Sequence, residues 1–413
     1  MYEGKAIAVV VPAYDEAEFV GEVIDTIPSF VDRVYPVDDA STDGTWAEIR
    51  SAARQVNGRG NRLPDGAGEL RRHGPDAGRS DAERSDADVE TTDESAGLRV
   101  VPIRHETNRG VGAAIKTGYR RAYDDGMDAV AVMAGDGQMD PDQLSQILDP
   151  VVSGRADYAK GNRLLADGDA DGMSRFRLFG NAVLTLLTKV ASGYWTMMDP
   201  QNGYTAISRD ALDGLDLDAV FDDYGFANAM LVHLNVADAR VADVPMPAQY
   251  GEEDSGIRYS TFVPQLSALL AKGFGWRLAE KHVRREFHPF VLCYGLGVVG
   301  TLVGAYATVR DARAAGSSEK ERRINAKGNR YNARRQKEDS RSESTRGCGP
   351  MTMLAGLATT GLAMSFDASQ NEDLHVTVDA DEDELRSGDD TTEPGDDARR
   401  PDGAAETGEV SDR

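Results

Sequence analysis

Residues 6–12 read AIAVVVP and residues 33–39 read RVYPVDD, and these two stretches decide the fold. The first is apolar without interruption, the pattern of a strand covered on both faces. It runs into Ala13-Tyr14-Asp15-Glu16, and the second ends on Asp38 and Asp39, followed by the turn STDGT. Asp15, with Glu18 three residues on, has capping-box spacing and is expected to start a helix. A second short helix is expected through Ile49. Further on, Leu98–Ile103 reads as a third strand, Gly110–Tyr123 as a helix and Ala129–Met133 as a fourth strand. Strands alternating with helices imply an α/β architecture: an open, mostly parallel sheet with flanking helices, and ligands at the strands' carboxyl ends.

Several stretches fall outside that sheet. Residues 57–97 lack apolar periodicity and are expected to form a disordered surface insertion. Residues 288–309, HPFVLCYGLGVVGTLVGAYATV, hold no Asp, Glu, Lys or Arg over 22 residues. At about 1.5 Å per residue this spans a hydrocarbon core of about 30 Å, so a transmembrane helix is expected. Ahead of it, Phe262, Leu266, Leu269, Leu270 and Phe274 recur at helical spacing among Lys272, Arg277, Lys281, Arg284 and Arg285. Residues 259–287 therefore read as amphipathic juxtamembrane helices, resting either on an anionic membrane surface or on the catalytic domain. Residues 350–366, PMTMLAGLATTGLAMSF, form a shorter second candidate span. The linker 310–349 between the spans carries 12 Lys and Arg against 6 acids. The positive-inside rule would keep it cytosolic, but the segment before the first span is basic too, so charge does not set the orientation. Residues 367–413 hold 17 acids and 4 bases and read as a solvated acidic tail.

Over the whole chain 70 acids face 46 bases, a formal charge of -24. That balance argues against a nucleic-acid partner and suits solubility in high salt, as in a halophilic source. The two cysteines, Cys293 and Cys348, support neither a disulfide framework nor a zinc site. The apolar core at the N-terminus is too short for a signal peptide, so the N-terminal domain is expected in the cytosol.

The polar groups at the strand ends carry the chemistry. A nucleotide-sugar site needs acceptors for the base, a clamp for the diphosphate and usually a divalent metal. Candidates are Pro12 to Glu16, Asp38 to Ser41, Asn108-Arg109-Gly110 and Asp136-Gly137-Gln138. A Rossmann dehydrogenase fits poorly, because Gly110-Val111-Gly112 follows the third strand and leads to Ile115 where a third glycine is wanted.

The phrases VVPAYDE, VDDASTDGT, NRGVGAAIKTGY, MAGDGQMDP, SGYW..MDPQNGYTAIS and DVPMPAQYG together resemble the family 2 glycosyltransferases of the GT-A (Rossmann-like) fold. The likeness is nearest to polyprenyl- or dolichyl-phosphate hexose synthases with one or two C-terminal transmembrane helices. It covers about residues 6–258, the catalytic domain, apart from the insertion. It implies that Pro12, Ala13, Tyr14, Glu16, Asp38, Asp39, Arg109, Lys116 and Asp136 bind the nucleotide-sugar. It implies Mg2+ or Mn2+ on Asp136 and Gln138, in a motif whose usual first Asp is Ala134 here. Asp136, Gln138 and Arg163 would be catalytic, Arg163 and Arg177 would hold a lipid phosphate, and Gln201 and Asn202 would lie beside the sugar. Where relatives commonly have an acid, Ala229 stands; Asp199 and Asp222 are the fallback acids. A hydroxyl acceptor needs a carboxylate base, whereas a phosphate monoester, with a second pKa of about 6, is already ionised at pH 7.

The implied activity is inverting transfer of a hexose from a UDP- or GDP-linked donor to polyprenyl or dolichyl phosphate. It would take place at the cytosolic face of the cell membrane and feed protein or envelope glycosylation, with the lipid bilayer as a partner. The alternatives are a glycolipid or polysaccharide acceptor, or a catalytically impaired scaffold, suggested by Ala134, Ala227 and Ala229. The Gln-x-x-Arg-Trp motif of processive synthases is missing from the sequence.

Overall fold

The two runs read as buried strands lie side by side. The computed structural model describes residues 1–59, 97–163, 175–246, 259–326 and 348–378. In it β1 (Ile7–Ala13) pairs in parallel with β2 (Arg33–Asp38) on one side and with β4 (Ala129–Val132) on the other, while β3 (Ile103–Arg104) extends β2. Beyond β4 the sheet continues through β5 (Tyr158–Asn162), β6 (Thr205–Ser208), β7 (Val241–Pro245) and β8 (His375–Thr377), in the order β3-β2-β1-β4-β6-β5-β7-β8. Only β6 runs antiparallel to its neighbours.

Side chains alternate along β1, as the two-residue period of a strand requires. Ile7, Val9 and Val11 enter one core with α1 (Val20–Thr26), α2 (Thr45–Gly58) and α4 (Leu144–Val152). Ala8 and Val10 enter the other with α3 (Val111–Asp124), α6 (Arg209–Asp213) and α7 (Phe226–Val236). Full burial of each such Val or Ile contributes about 1.5–3 kcal/mol. α3 crosses β1 at Gly118, where a Cβ would collide with the Val10 side chain.

Three local expectations need correction, and one alternative is decided. Asp15 caps no helix: α1 starts at Val20, and Asp15 has φ 56° with its carboxylate accepting from the Thr42 N–H at 2.7 Å. The third strand is shorter than Leu98–Ile103: it covers Ile103–Arg104, with Val100 ahead of it bridging Val34, and the Arg99 side chain turns inward to donate to the carbonyls of Ile27, Pro28 and Val31. Residues 57 and 58 still belong to α2; residues 60–96 of the expected insertion lie outside the described residues. α8 (Tyr259–Ala279), which widens into a π turn over Glu280–Arg285, packs on the domain. Its Leu266 and Leu270 are buried against Leu184 and Ala191 of α5 (Arg175–Ser192) and Val232 of α7.

The C-terminal part departs furthest from the sequence reading. α9 (Phe290–Ala326) continues past the apolar run, so residues 310–326 of the basic linker are helical; residues 327–347 lie outside the described set. α10 (Cys348–Gln370) runs back antiparallel along α9, with Gly297 against Gly356 and Gly304 against Gly349. The acidic tail therefore does not start at residue 367. Asp367 is fully buried, and the chain returns to the domain as β8, pairing with β7. Composition could not reveal this, since an acid that meets a buried cation counts the same as a solvated one. Residues 379–413 lie outside the described residues.

Candidate active site

The carboxyl ends of β2, β1 and β4 are laced together: the Asp39 N–H donates to the Ala13 carbonyl (2.9 Å) and the Gly135 N–H to the Pro12 carbonyl (3.0 Å). Strand order reverses here, with β2 leaving β1 on one side and β4 on the other, the position where open α/β sheets bind ligands. Pro12 and Ala13 are buried and offer backbone; Glu16 is half-buried, while Tyr14 and Arg109 are exposed. A Cβ on Gly135 would sit 3.1 Å from the Ala13 Cβ, so a small residue is required at this crossing.

Three residues expected at the nucleotide turn inward instead. Asp38 is 0% exposed; its Oδ1 accepts from the Ser41 N–H (3.0 Å) and its Oδ2 lies 2.9 Å from Arg104 Nε. The Asp39 carboxylate accepts from the N–H groups of Arg109 (2.9 Å) and Gly110 (2.7 Å) and sits 2.7 Å from His105 Nδ1. Burial alone would raise its pKa, but the bonds from His105, Arg109 and Gly110 outweigh it and hold the carboxyl below its usual range. Lys116 is buried, donating to the Val220 carbonyl (2.8 Å) and pairing with Asp222 (2.5 Å). These side chains tie down the loops 105–110 and 220–225. Gly110, at φ +93°, completes the join, since a Cβ there would lie 2.6 Å from the Asp222 carbonyl.

Beyond β4 opens a pocket of about 430 Å³. Asp136, Gln138 and Asp140 line one wall, Arg163, Gln201 and Asn202 another, and Tyr224, Phe226 and Ala227 a third. Asp136 Oδ1 accepts from the Gln138 N–H at 3.0 Å, and burial pushes its carboxyl above the usual carboxylate value. Arg163 stands 47% exposed at the rim with its fork on Asp199: Nε to Oδ2 2.8 Å, Nη2 to Oδ1 3.0 Å. Burial would raise the Asp199 carboxyl, but hydrogen bonds from Arg163 and its charge hold it low. Asp199 and Asp222, the two fallback acids, are thus both committed to cations. A further hollow of about 470 Å³ between α2 and residues 98–102 lies away from the strand ends and has no acid in its lining.

Under the pocket, Lys160 and Asp243 form a buried pair, Nζ to Oδ1 2.9 Å. Lys160 also donates to the Met198 carbonyl (2.6 Å), and Asp243 accepts the Met198 N–H (2.7 Å), which fixes the loop carrying Asp199, Gln201 and Asn202. Sequence reading missed this pair and the Asp199 contact, because Lys160 in YAKGN looks like any solvated lysine. It missed Tyr224 as well, which a turn sequence does not flag. Arg177 lies on α5, but its side chain is outside the described residues.

The sequence profile of Glycosyl transferase family 2 matches residues 8–73 and 80–216. The chain carries a family 2 glycosyltransferase domain. It is similar to the UDP-N-acetylglucosamine–dolichyl-phosphate N-acetylglucosaminyltransferase of Methanococcus voltae, with 25% identity over 60% of this chain and 87% of that one. It is also similar to the undecaprenyl-phosphate mannosyltransferase of Micrococcus luteus, with 26% identity over 58% of this chain and 82% of that one. Among solved structures, glucosyl-3-phosphoglycerate synthase from Mycobacterium tuberculosis in complex with UDP matches 66% of this chain and 81% of that one, at 19% identity and a TM-score of 0.43.

Within this family 2 domain, Ala134 lines the pocket where the resemblance sets the first carboxylate of the metal motif. Ala229 does not line it. The helical period turns Ala229 into the core with Met230 and Leu234, and Ala227 is the residue on the pocket wall. Among the described residues no group of three or more His, Cys, Asp or Glu could enclose a metal ion. The donors present, the half-buried Asp136 carboxylate and the Gln138 amide, fit a hard cation that takes most of its ligands from phosphates and water.

Proposed function

We propose that the protein transfers a hexose from a nucleotide-sugar to a polyprenyl or dolichyl phosphate, with inversion at the anomeric carbon. One observation carries this reading: the Arg163 fork is fixed on Asp199 at the rim of a pocket whose facing wall, Phe226 and Ala227, brings no carboxylate. A hydroxyl acceptor needs a base there. A phosphate monoester needs none, being ionised above a second pKa of about 6, and instead needs a fixed cation beside it. The two relatives above, named for dolichyl phosphate and undecaprenyl phosphate, support the same acceptor class.

In the reaction an acceptor phosphate oxygen attacks the anomeric carbon. As that C–O bond forms, the bond to the nucleotide diphosphate breaks and the diphosphate leaves with the electron pair. Asp136 and Gln138 would hold Mg2+ or Mn2+, which when bound neutralises charge growing on the leaving diphosphate. Tyr14 and Arg109 would border the nucleotide, and Gln201 and Asn202 the sugar.

α9 supplies one stretch, Phe290–Gly316, long and apolar enough to cross a membrane, with a mean hydropathy of 1.8. Leu296, Leu302 and Tyr306 on α9 and Met351 and Leu354 on α10 are exposed, which suits an antiparallel pair surrounded by lipid. The catalytic domain would then lie on the cytosolic side, where nucleotide-sugars are made. The test is incubation of membranes holding the protein with labelled UDP-glucose, UDP-galactose, UDP-N-acetylglucosamine or GDP-mannose and polyprenyl phosphate at high salt. Label should enter lipid from one donor with inverted configuration; retained configuration, or a lipid alcohol used as well as the phosphate, would sink the reading.

A further inference from the structure

α9 and α10 meet along a seam of small residues. Gly297 faces Gly356 and Thr360, and Gly304 faces Met353 and Gly349, so the two backbones approach closely. The seam repeats itself, with Gly297, Thr301, Gly304 and Thr308 on α9 and Gly349, Thr352, Gly356 and Thr360 on α10. Sliding α10 by one turn, about 5.4 Å, would put a threonine in the place of Gly356, where a Cβ would collide with the Thr301 backbone nitrogen. The seam therefore sets α10 on α9, but it does not set where the hairpin sits on the domain.

A buried ion pair does. Asp367 near the end of α10 and Arg277 on α8 are both 0% exposed and meet through two bonds of 2.9 and 2.7 Å. Arg277 also donates to the Ala191 (2.9 Å) and Val190 (3.2 Å) carbonyls at the C-terminus of α5, where a cation suits the helix's negative end. Next comes Gly193, at φ +81°, whose Cβ would lie 2.6 Å from Arg277 Nη1, so only glycine admits the guanidinium. From Gly193 the chain runs on to Asp199, the residue that holds Arg163. On its other side Asp367 accepts from Asn371 Nδ2 (3.1 Å), whose Oδ1 takes bonds from Asn235 at the end of α7 (2.9 Å) and from Lys281 in the π turn (3.1 Å). Past Asn371 the chain becomes β8, whose Thr377 is in register with Asp243. A one-turn shift of the hairpin on the domain would leave Arg277 buried without its carboxylate, and a buried charge stripped of its partner is strongly disfavoured.

We infer that Arg277 and Asp367 are positioning residues that lock the seat of the α9–α10 hairpin on the domain and transmit it to the acceptor-side loop, residues 193–203. This rests on the lipid-phosphate reading above. The test compares wild type, Asp367→Asn and the double variant Arg277→Met/Asp367→Leu for thermal midpoint, kcat and the KM of each substrate. Asp367→Asn should raise the KM for polyprenyl phosphate about tenfold or more while leaving that for the sugar nucleotide unchanged. The double variant replaces the pair with apolar groups of similar bulk. It should regain thermal stability yet keep the raised lipid KM, because apolar contacts let the hairpin settle on the domain in more than one position. A double variant with both wild-type stability and wild-type lipid KM would show that the pair only holds the fold together, and would overturn the lock. Equal changes in both KM values would overturn it too. Should Asp367→Asn not fold, the double variant decides alone. If wild type glycosylates a lipid alcohol and not the phosphate, the acceptor reading fails by itself, and the same KM comparison made with that alcohol judges the lock.

Discussion

The carboxylates after β1 and β2, on the proposed donor side, and those beyond β4, on the proposed acceptor side, are held differently. On the donor side Asp15, Asp38, Asp39 and Asp43 accept from backbone N–H groups of Thr42, Ser41, Arg109 and Thr45 in the turns after the strands. On the acceptor side Asp199, Asp243 and Asp367 each face a cation, Arg163, Lys160 and Arg277. Arg104 beside Asp38, His105 beside Asp39 and Lys116 beside Asp222 are the donor side's exceptions. Peptide dipoles steady a carboxylate without cancelling its charge, so the donor side stays electronegative and favours an anionic diphosphate only when a further cation arrives with it. The acceptor side has its cations built in. On the function proposed above, the contrast would account for a metal on one side and an arginine on the other.

The largest expected effect tests the acceptor side. Lys160→Met strips Asp243 of its buried partner and should cost about 3–5 kcal/mol, read as a lowered unfolding midpoint in denaturant. A change no bigger than that of a surface substitution would mean that the pair does not organise this side. On the donor side, Asp136→Ala should lower turnover about 100-fold or more, and a chelator should do the same to wild type. Full activity in EDTA would erase the contrast, because the donor side would then manage a diphosphate unaided.

Arg163→Ala removes charge-assisted bonds worth about 1.5–3 kcal/mol, so the KM for polyprenyl phosphate should rise roughly ten- to a hundredfold with the donor KM unmoved. A mutant impaired for sugar nucleotide instead would transfer Arg163 to the donor side. A subtler effect concerns pH. Burial holds the Asp136 carboxyl above its usual value of about 3.9, so the proton wins more of this site as pH falls. Apparent metal affinity should therefore weaken as pH falls toward the raised value and recover as it rises. Metal titrations of activity from roughly pH 7 down to 5 measure this, and a flat profile would remove Asp136 from the metal's ligands.

The smallest effect should come from deleting residues 60–96. Asn57 already bonds both the carbonyl (2.9 Å) and the N–H (3.0 Å) of Val100, so the two ends are in contact and a short turn can close them. Both KM values should stay within about twofold, and a larger change would show that the segment serves one side of the pocket.

The sequence by itself determined the parallel half of the sheet, because unbroken apolar runs such as residues 6–12 fit only a strand buried on both faces. It also pointed to residues that share one pocket, since Asp136, Gln138 and Arg163 follow strands whose ends converge and all three line it. The uncharged run at 288–309 marked α9. Tertiary structure alone decided which polar residues face the pocket: Asp38 and Lys116 turn inward, and Ala227 rather than Ala229 reaches the wall. It alone decided that α8 lies on the domain and that the chain comes back from α10 to add β8. The reason is the same in each case. Period and composition are local properties, whereas a charge can be buried only beside a partner, and Asp243 and Asp367 find theirs 83 and 90 residues away.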